Sequence, residues 1–399
     1  MFSTTLSKLR PSPIQVMAEQ TRQAVRGGRN VVDMTLGESD FPTREHVGEA
    51  AVRAIAAGQT RYTPINGSVT LREAIVRKFQ GHNGIPCTAA DVTVGCGAKQ
   101  VVYQAFLATL NPGDEVLIPA PYWASYADSV GMNGGVLRPL ETSPDTGYAV
   151  QPQALADAIT TRTKWLVLNS PSNPSGTAYT AEQLLAFAEV VRRSHHRDFL
   201  ILSDEIYEHI LFDGTRFATL AEIAPDLRHR ILTVNGVSKA YAMTGWRVGY
   251  ACGPRALVEA MTKIQMQINS HTSSVSQAAA AAALDGPQDE VRRRCQVFQH
   301  RRDLLLERFA GFPGLRAPRP QGAFYLFPDV RAFLGRTAPD GRLITDDVAF
   351  ASYLLDEGVA VVPGSGFGMP GFMRLSYATS DDRLHLAADR LATALERLS

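Results

Sequence analysis

Short apolar, β-branched runs recur through the first 250 residues, with helix-length stretches between them. The runs are Val92–Val94, Glu115–Ile118, Lys164–Leu168, Phe199–Ser203, Ile231–Val234 and Gly249–Ala251. Strands spaced in this way predict right-handed βαβ crossovers and a mostly parallel sheet buried on both faces. After about residue 285 the pattern changes. A long helix is predicted over VRRRCQVFQHRRDLLLERF, with Val291, Cys295, Phe298, Leu305 and Phe309 on one face. Strand-like pieces follow at Ala323–Phe327, Val359–Val362 and Met373–Tyr377, the pattern of a smaller α+β domain. The first thirty residues, with Pro11, Pro13 and Gly27-Gly28, read as an arm. The expected division is 1–44 for the arm and part of the small domain, 45–290 for the large domain and 291–399 for the rest of the small one.

The length of 399 residues agrees with two or three domains at about 150 residues each. Hydrophobic residues at 45% and charged residues at 20% leave room for a large core and exclude long disorder. Lys+Arg is 40 against Asp+Glu 39, so charge gives no bias toward nucleic acid or an anionic membrane. The cluster Arg292–Arg294, Arg301 and Arg302 reads as a solvated helix face, because no base-stacking aromatics are interleaved. Cys87, Cys96, Cys252 and Cys295 form no C-x-x-C pair, which argues against zinc and against a disulfide framework and fits a reducing cytoplasm. The amino terminus lacks an apolar signal-like core, and the run Ala278–Leu284 falls far short of the about 20 residues of a membrane span. A soluble chain with no membrane partner is expected. A DNA-binding head and a dinucleotide glycine fingerprint are both missing, which excludes two competing classes.

Ligands of an open parallel sheet sit beyond the carboxyl ends of its strands. Gly97-Ala98-Lys99, Asn169 to Asn173, Asp204 with Tyr207, Ser238-Lys239 and Arg247 all follow predicted strands. Only six lysines exist, and Lys239 sits between Ser238 and small residues just after a strand. It is either a desolvated amine able to attack a carbonyl or a lysine that snorkels from a loop. Asp204 either caps the next segment or keeps a pyridinium nitrogen protonated. Tyr207, three residues on, would share its pocket if the segment turns. The turn GCGAKQ predicts an anion nest before a helix starting near Gln100, sized for a small phosphate, with Ser238 and Arg247 as further donors. Asn173 lies in a proline-punctuated loop, and Trp123 offers a flat face for stacking or belongs to the core. His195 and His196 read as exposed, Asp381-Asp382 as a helix start, and Lys8, Lys78, Lys164 and Lys263 as surface residues. No metal site is expected.

With RYTPINGSVTLREAI, NPGDEVLIPAPYW, QGAFYLF, VAVVPGSGFG and MRLSYATS, these stretches resemble, in order and spacing over nearly the whole chain, the class I aminotransferases of pyridoxal-phosphate fold type I. The resemblance is strongest to bacterial aspartate aminotransferases of the gamma subgroup. It implies an α/β fold with a mostly parallel seven-stranded sheet covered by helices, beside a smaller α+β domain. It implies pyridoxal 5′-phosphate as cofactor, an amino donor such as aspartate or glutamate, a 2-oxo acid such as 2-oxoglutarate as acceptor, and a homodimer with shared sites. An aminotransferase for aromatic or other monocarboxylic amino acids, or a β-lyase, would use the same scaffold.

Carried over residue by residue, the resemblance gives Lys239 the internal aldimine and the movement of the α-proton. Asp204 would meet the ring nitrogen, Asn173 and Tyr207 the ring oxygen, and Trp123 the ring face. Gly97, Ala98, Lys99, Ser238 and Arg247 match the phosphate end, and Tyr62 matches a tyrosine that reaches the neighbouring subunit's phosphate. Arg374 and Gly37 match contacts to the substrate α-carboxylate, and Lys99 and Ser12 match receivers of a distal carboxylate. Ile14 replaces a frequent hydroxyl residue, no arginine occurs around Ser270–Ser274, and Ser39 stands where proline is usual.

Overall fold

The structure is a computed structural model that describes Leu6, residues 13–196 and residues 198–399. Two residues of β1 (Val32–Asp33) precede the large sheet. That sheet contains β2 (Val92–Gly95), β3 (Glu115–Pro119), β4 (Val136–Leu140), β5 (Thr163–Asn169), β6 (Leu200–Asp204), β7 (Ile231–Gly236) and β8 (Gly249–Cys252). Its order is β2-β8-β7-β6-β5-β3-β4, and β8 alone runs antiparallel to its neighbours. The expected seven-stranded, mostly parallel sheet is present.

Alternation along the central strands explains why they read as continuous apolar runs. In β5, Leu166 and Leu168 join one buried cluster while Trp165 and Val167 join another. In β6, Ile201 and Leu202 divide in the same way, so helices cover both faces. The edge strand β4 escaped the sequence pattern. Its residues VLRPL are mostly exposed up to Leu140, and Pro139 is tolerated because the strand has only one neighbour.

The strands of the second region are short. β9 (Tyr325–Leu326), β10 (Val359–Ala360), β11 (Val362–Pro363) and β12 (Met373–Ser376) form two small sheets: β10 pairs in parallel with β1, and β12 lies between β11 and β9. The single expected strand Val359–Val362 is therefore two pieces with different partners. A third apolar cluster fills this region, with Met17, Met34, Leu305, Phe324, Leu375 and Leu391 at zero to a few per cent exposure. Tyr207, Ile210 and Phe212, which follow β6, pack into it as well.

The long helix spans Asp289–Ala310, and its apolar face is as expected apart from a half-buried Cys295. Its arginines are a correction. Arg292 and Arg293 are exposed, but Arg294, Arg301 and Arg302 are buried. Arg302 donates to both oxygens of Asp213 at 2.7 and 2.8 Å, and Arg301 to both oxygens of Asp40 at 2.9 Å. Carboxylates from remote segments neutralise these guanidinium groups, whose planar forks suit bidentate pairing. The helix Asp381–Glu396 begins at Ser380, whose side chain accepts from the Arg383 N–H, so the acidic pair is a helix start as expected. His195 is exposed, whereas His196 is half-buried, with Nε2 2.9 Å from the Thr163 carbonyl. Among the described residues no helix is long and apolar enough to cross a membrane, and no group of His, Cys, Asp or Glu could hold a metal ion.

Candidate active site

A cavity of about 430 Å³ opens at the carboxyl ends of the large sheet. Gly37, Ala98, Lys99, Trp123, Asn173, Asp204, Tyr207, Ser238, Lys239, Arg247 and Arg374 line it together. Gly97 lies just beneath. It has φ +83°, a conformation that favours glycine, and a Cβ there would displace the Arg247 guanidinium. The helix Ala98–Thr109 starts directly after it, two residues earlier than expected. Gly249 in β8 allows the strand to pass against the Ala98 N–H, where any Cβ would collide. Arg247 itself is left-handed at φ +56°, a conformation that costs a non-glycine residue about 1 kcal/mol or more. Its guanidinium donates to the Thr244 and Cys96 carbonyls at 3.0 and 3.3 Å, aligning it beside the helix N-terminus.

Asp204 ends β6 and is buried. Its Oδ2 accepts from the Tyr126 hydroxyl at 2.6 Å and its Oδ1 from the Ile206 N–H at 3.3 Å. Burial raises its pKa, and the two hydrogen bonds and the charge of Lys239 oppose that rise. The segment after it is a tight turn, closed by Glu208 N–H to the Glu205 carbonyl at 2.9 Å and Ile210 N–H to the Tyr207 carbonyl at 2.8 Å. This turn brings the Tyr207 hydroxyl to the site, 2.8 Å from that of Tyr325. Lys239 is half-buried with its amine end enclosed, donating to the Gly37 carbonyl at 2.5 Å. Burial first, then the charge of Arg374, lowers the amine to about 8. Amine nucleophilicity at neutral pH follows from that shift.

Arg374 is 1% exposed, although it is a cation inside a strand. It stacks 4.7 Å from the Tyr325 ring and 5.0 Å from the Phe367 ring. One Nη donates to Asn173 Oδ1 at 3.1 Å and the other to the Thr35 carbonyl, while its buried Nε has no protein partner. An unpaired buried donor on a guanidinium is costly unless an anion meets it. Asn173 is held by its own N–H on Asn169 Oδ1 at 2.8 Å, and with Oδ1 turned to Arg374 its Nδ2 is left to a ligand. Lys99 Nζ lies 5.0 Å from the centre of the Trp123 ring, and burial, then Arg247, lowers its pKa.

Some expected residues are elsewhere. Tyr62 is 91% exposed, edge-on to His271 and outside the cavity lining. Ser12 and Lys8 lie outside the described residues. Lys78, expected at the surface, is buried at 4% exposure, whereas Lys164 is half-buried and Lys263 exposed. The loop after Gly37 closes through Ser39, whose hydroxyl accepts from the Phe41 N–H at 3.3 Å. Asn169, one of the expected strand-end residues, lines the cavity, and so do Tyr126, Glu38, Leu36 and Tyr325, which no sequence pattern singled out. Tyr126 had a signal: it sits three residues after Trp123 at the start of a helix and therefore on the same side.

The family model for aminotransferases of class I and II matches residues 29–391. The chain is 48% identical over 399 residues to an aspartate/prephenate aminotransferase of Cereibacter sphaeroides, covering all of this chain and 99% of that protein. It is 46% identical to an aspartate aminotransferase of Rhizobium meliloti, covering all of this chain and 97% of the relative. The crystal structure of a Rhizobium meliloti aspartate aminotransferase superposes with a TM-score of 0.96 at 46% identity, over 100% of both chains. That of the Thermus thermophilus aspartate aminotransferase with maleate gives 0.90 at 41% identity, over 99% of each.

Proposed function

The chain belongs to the class I and II aminotransferases, and on that premise we propose that it holds pyridoxal 5′-phosphate at Lys239 and moves the amino group of aspartate or glutamate to a 2-oxo acid such as 2-oxoglutarate. One observation carries the reading: the enclosed amine of Lys239, the buried carboxylate of Asp204 and the buried, under-bonded guanidinium of Arg374 share one cavity. The residues fit the cofactor. The N-terminus of the helix at Ala98 with the hydroxyl of Ser238 and the guanidinium of Arg247 would receive the phosphate. Asp204 would face the ring nitrogen, Asn173 Nδ2 and the Tyr207 hydroxyl the ring oxygen, and Trp123 the ring face. When bound, the cofactor would supply an aldehyde for the amino group and a ring that withdraws electrons from the substrate α-carbon.

The chain's own groups do the rest. Arg374 grips the α-carboxylate, using the Nε that has no other partner. That grip and the phosphate anchor fix the direction of the substrate's Cα–H bond, so positioning selects which bond is broken. Lys239 Nζ takes the proton from the substrate α-carbon, a task suited to an amine lowered to about 8. The hydrogen bonds from the Tyr126 hydroxyl and the Ile206 N–H fix the Asp204 carboxylate in place and favour its charged form against the burial that raises its pKa. Lys99 and Ser12 would receive the distal carboxylate.

A second reading has its own observation. Ile14 and Leu36 bring apolar surface to the lining, which favours a bulkier or less polar side chain, and one relative is named for prephenate as well as aspartate. We also infer a homodimer, supported by exposed Tyr62 together with exposed Val52, Ile55, Val69, Met266 and Ile268. Division at 44/45 and 290/291, with the cavity between the two bodies, and a cytoplasmic location belong to the same proposal. The test is a panel of amino donors and oxo-acid acceptors on the pure enzyme. Fastest turnover with aspartate or glutamate supports the assignment, and preference for phenylalanine or alanine overturns it in favour of the second reading.

A further inference from the structure

Behind the site lies a buried charged cluster that the reaction does not use. The turn after β6 alternates. Asp204 and Tyr207 line the cavity, while Glu205 and Glu208 are buried outside its lining, at 1% and 5% exposure. Glu208 is ion-paired with Lys78 and accepts from Asn83 Nδ2 at 2.7 Å, and Lys78 Nζ donates to Asn83 Oδ1 at 2.8 Å. Lys78 and Asn83 belong to the helix Val69–Asn83, more than a hundred residues away in sequence. His209 Nε2 lies 3.2 Å from Glu208 Oε1, and Lys78 sits 4.7 Å from the centre of the Phe79 ring. Glu205 Oε1 accepts from Ser203 at 2.8 Å and from Thr219 at 2.6 Å. Burial, then the charge of Glu208, raises Glu205 to about 8, whereas Lys78 and His209 outweigh burial and hold Glu208 well below the usual carboxylate range.

A buried ion pair is weak evidence for stability, because desolvation offsets much of the attraction. Its geometric effect is another matter. Two segments from outside, the helix Val69–Asn83 and the one carrying Thr219, meet on the two acidic positions of one five-residue turn, Glu205 and Glu208, and the other positions of that turn carry the groups facing the cavity. We propose that Lys78, Asn83, Glu208 and Glu205 are positioning residues that fix the turn from behind and thereby set the places of the Asp204 carboxylate and the Tyr207 hydroxyl. The proposal rests on the reading of Asp204 and Tyr207 as cofactor contacts. Lys78 and Glu208 act through the backbone, so their loss should move cofactor binding and turnover without touching the contacts made by Arg374.

The test uses the full chain carrying Lys78→Met with Glu208→Gln, which nearly preserves shape and removes both charges of the ion pair together. In cofactor-free protein, amide exchange by mass spectrometry is expected to quicken over residues 204–210 and to stay at the parent rate in β5 and β7. In the loaded enzyme, the dissociation constant of pyridoxal phosphate is expected to rise and kcat to fall, each about tenfold, with KM for the donor nearly unchanged. The pH midpoint of the visible band is expected to move with them. Unchanged exchange over 204–210, or a lower melting temperature with parent-like cofactor affinity and band, would overturn the proposal. Should the double variant not fold, Asn83→Ala removes the amide that hydrogen-bonds to both charges and is read in the same way. The exchange arm needs no cofactor. A parent protein that takes up no pyridoxal phosphate would therefore defeat the functional reading and leave the positioning claim to the exchange result.

Discussion

The two ends of the cavity are built on different plans. At the large-sheet end the groups come from strand termini: Ala98 and Lys99 beyond β2, Asp204 closing β6, Ser238 and Lys239 beyond β7. At the other end they come from scattered pieces: Ile14 in the helix Pro13–Arg26, Leu36 and Gly37 after β1, Tyr325 in β9 and Arg374 inside β12. The cations reflect the difference. Arg247 stands on a left-handed backbone at a helix N-terminus, and Arg374 is sealed in an aromatic slot with one donor unpaired. The first plan follows from sheet topology, which aims strand-end groups and helix dipoles at one point. The second depends on tertiary packing, and variation there alters substrate choice while the cofactor end stays as it is.

Separating the two arginines gives the largest expected effect. Arg374→Leu should lower kcat/KM for every donor by about a hundredfold, with cofactor affinity within about twofold of the parent, while Arg247→Leu should do the reverse. Steady-state kinetics beside a cofactor titration decides it, and equal loss of cofactor in both variants would erase the distinction.

The next contrast concerns amines. Lys239 falls to about 8 through burial and Arg374, so its neutral fraction should rise about tenfold between pH 7 and pH 9. In cofactor-free protein, the rate of capture of an added aldehyde at Lys239 should follow that curve. A rate that climbs only near the ordinary lysine value of about 10.4 would contradict it. The sign for stability follows: the folded chain binds fewer protons here than the unfolded chain, so burial of this amine costs stability below about pH 8. That cost is relieved as the pH rises toward the unfolded value.

A smaller effect tests the substrate side of the large-sheet end. Lys99→Ala should raise KM for aspartate about tenfold and leave alanine and phenylalanine near parent values. Equal losses for all three would sink the dicarboxylate assignment. The smallest concerns Ile14, where Ile14→Thr should shift the aspartate-to-phenylalanine ratio of kcat/KM by about two- to fivefold toward aspartate. No shift would mean that the apolar lining plays no part in the choice.

The same contrast governs what the sequence reveals. Six of the seven large-sheet strands were legible because burial leaves apolar runs, the edge strand β2 included, and β4 was not because its residues are mostly exposed. Strand-end logic found Asp204, Ser238 and Lys239 from residues alone. Arg374 and Gly37 came only through family resemblance, because no local pattern distinguishes an arginine inside a short strand from any other. Lys78, Arg301 and Arg302 were misplaced at the surface for a related reason. Helical spacing reports polarity, but burial of a cation depends on a carboxylate supplied by Glu208, Asp40 or Asp213 from elsewhere in the chain.

The central claim is that one lysine of six holds the cofactor at the strand-end side of the cavity. Borohydride reduction of the yellow holoenzyme, followed by peptide mass spectrometry, tests it directly. A pyridoxyl mass on the peptide containing Lys239 and loss of the visible band on reduction are expected. A tag on Lys99 or on any other lysine, or no tag at all, would contradict it.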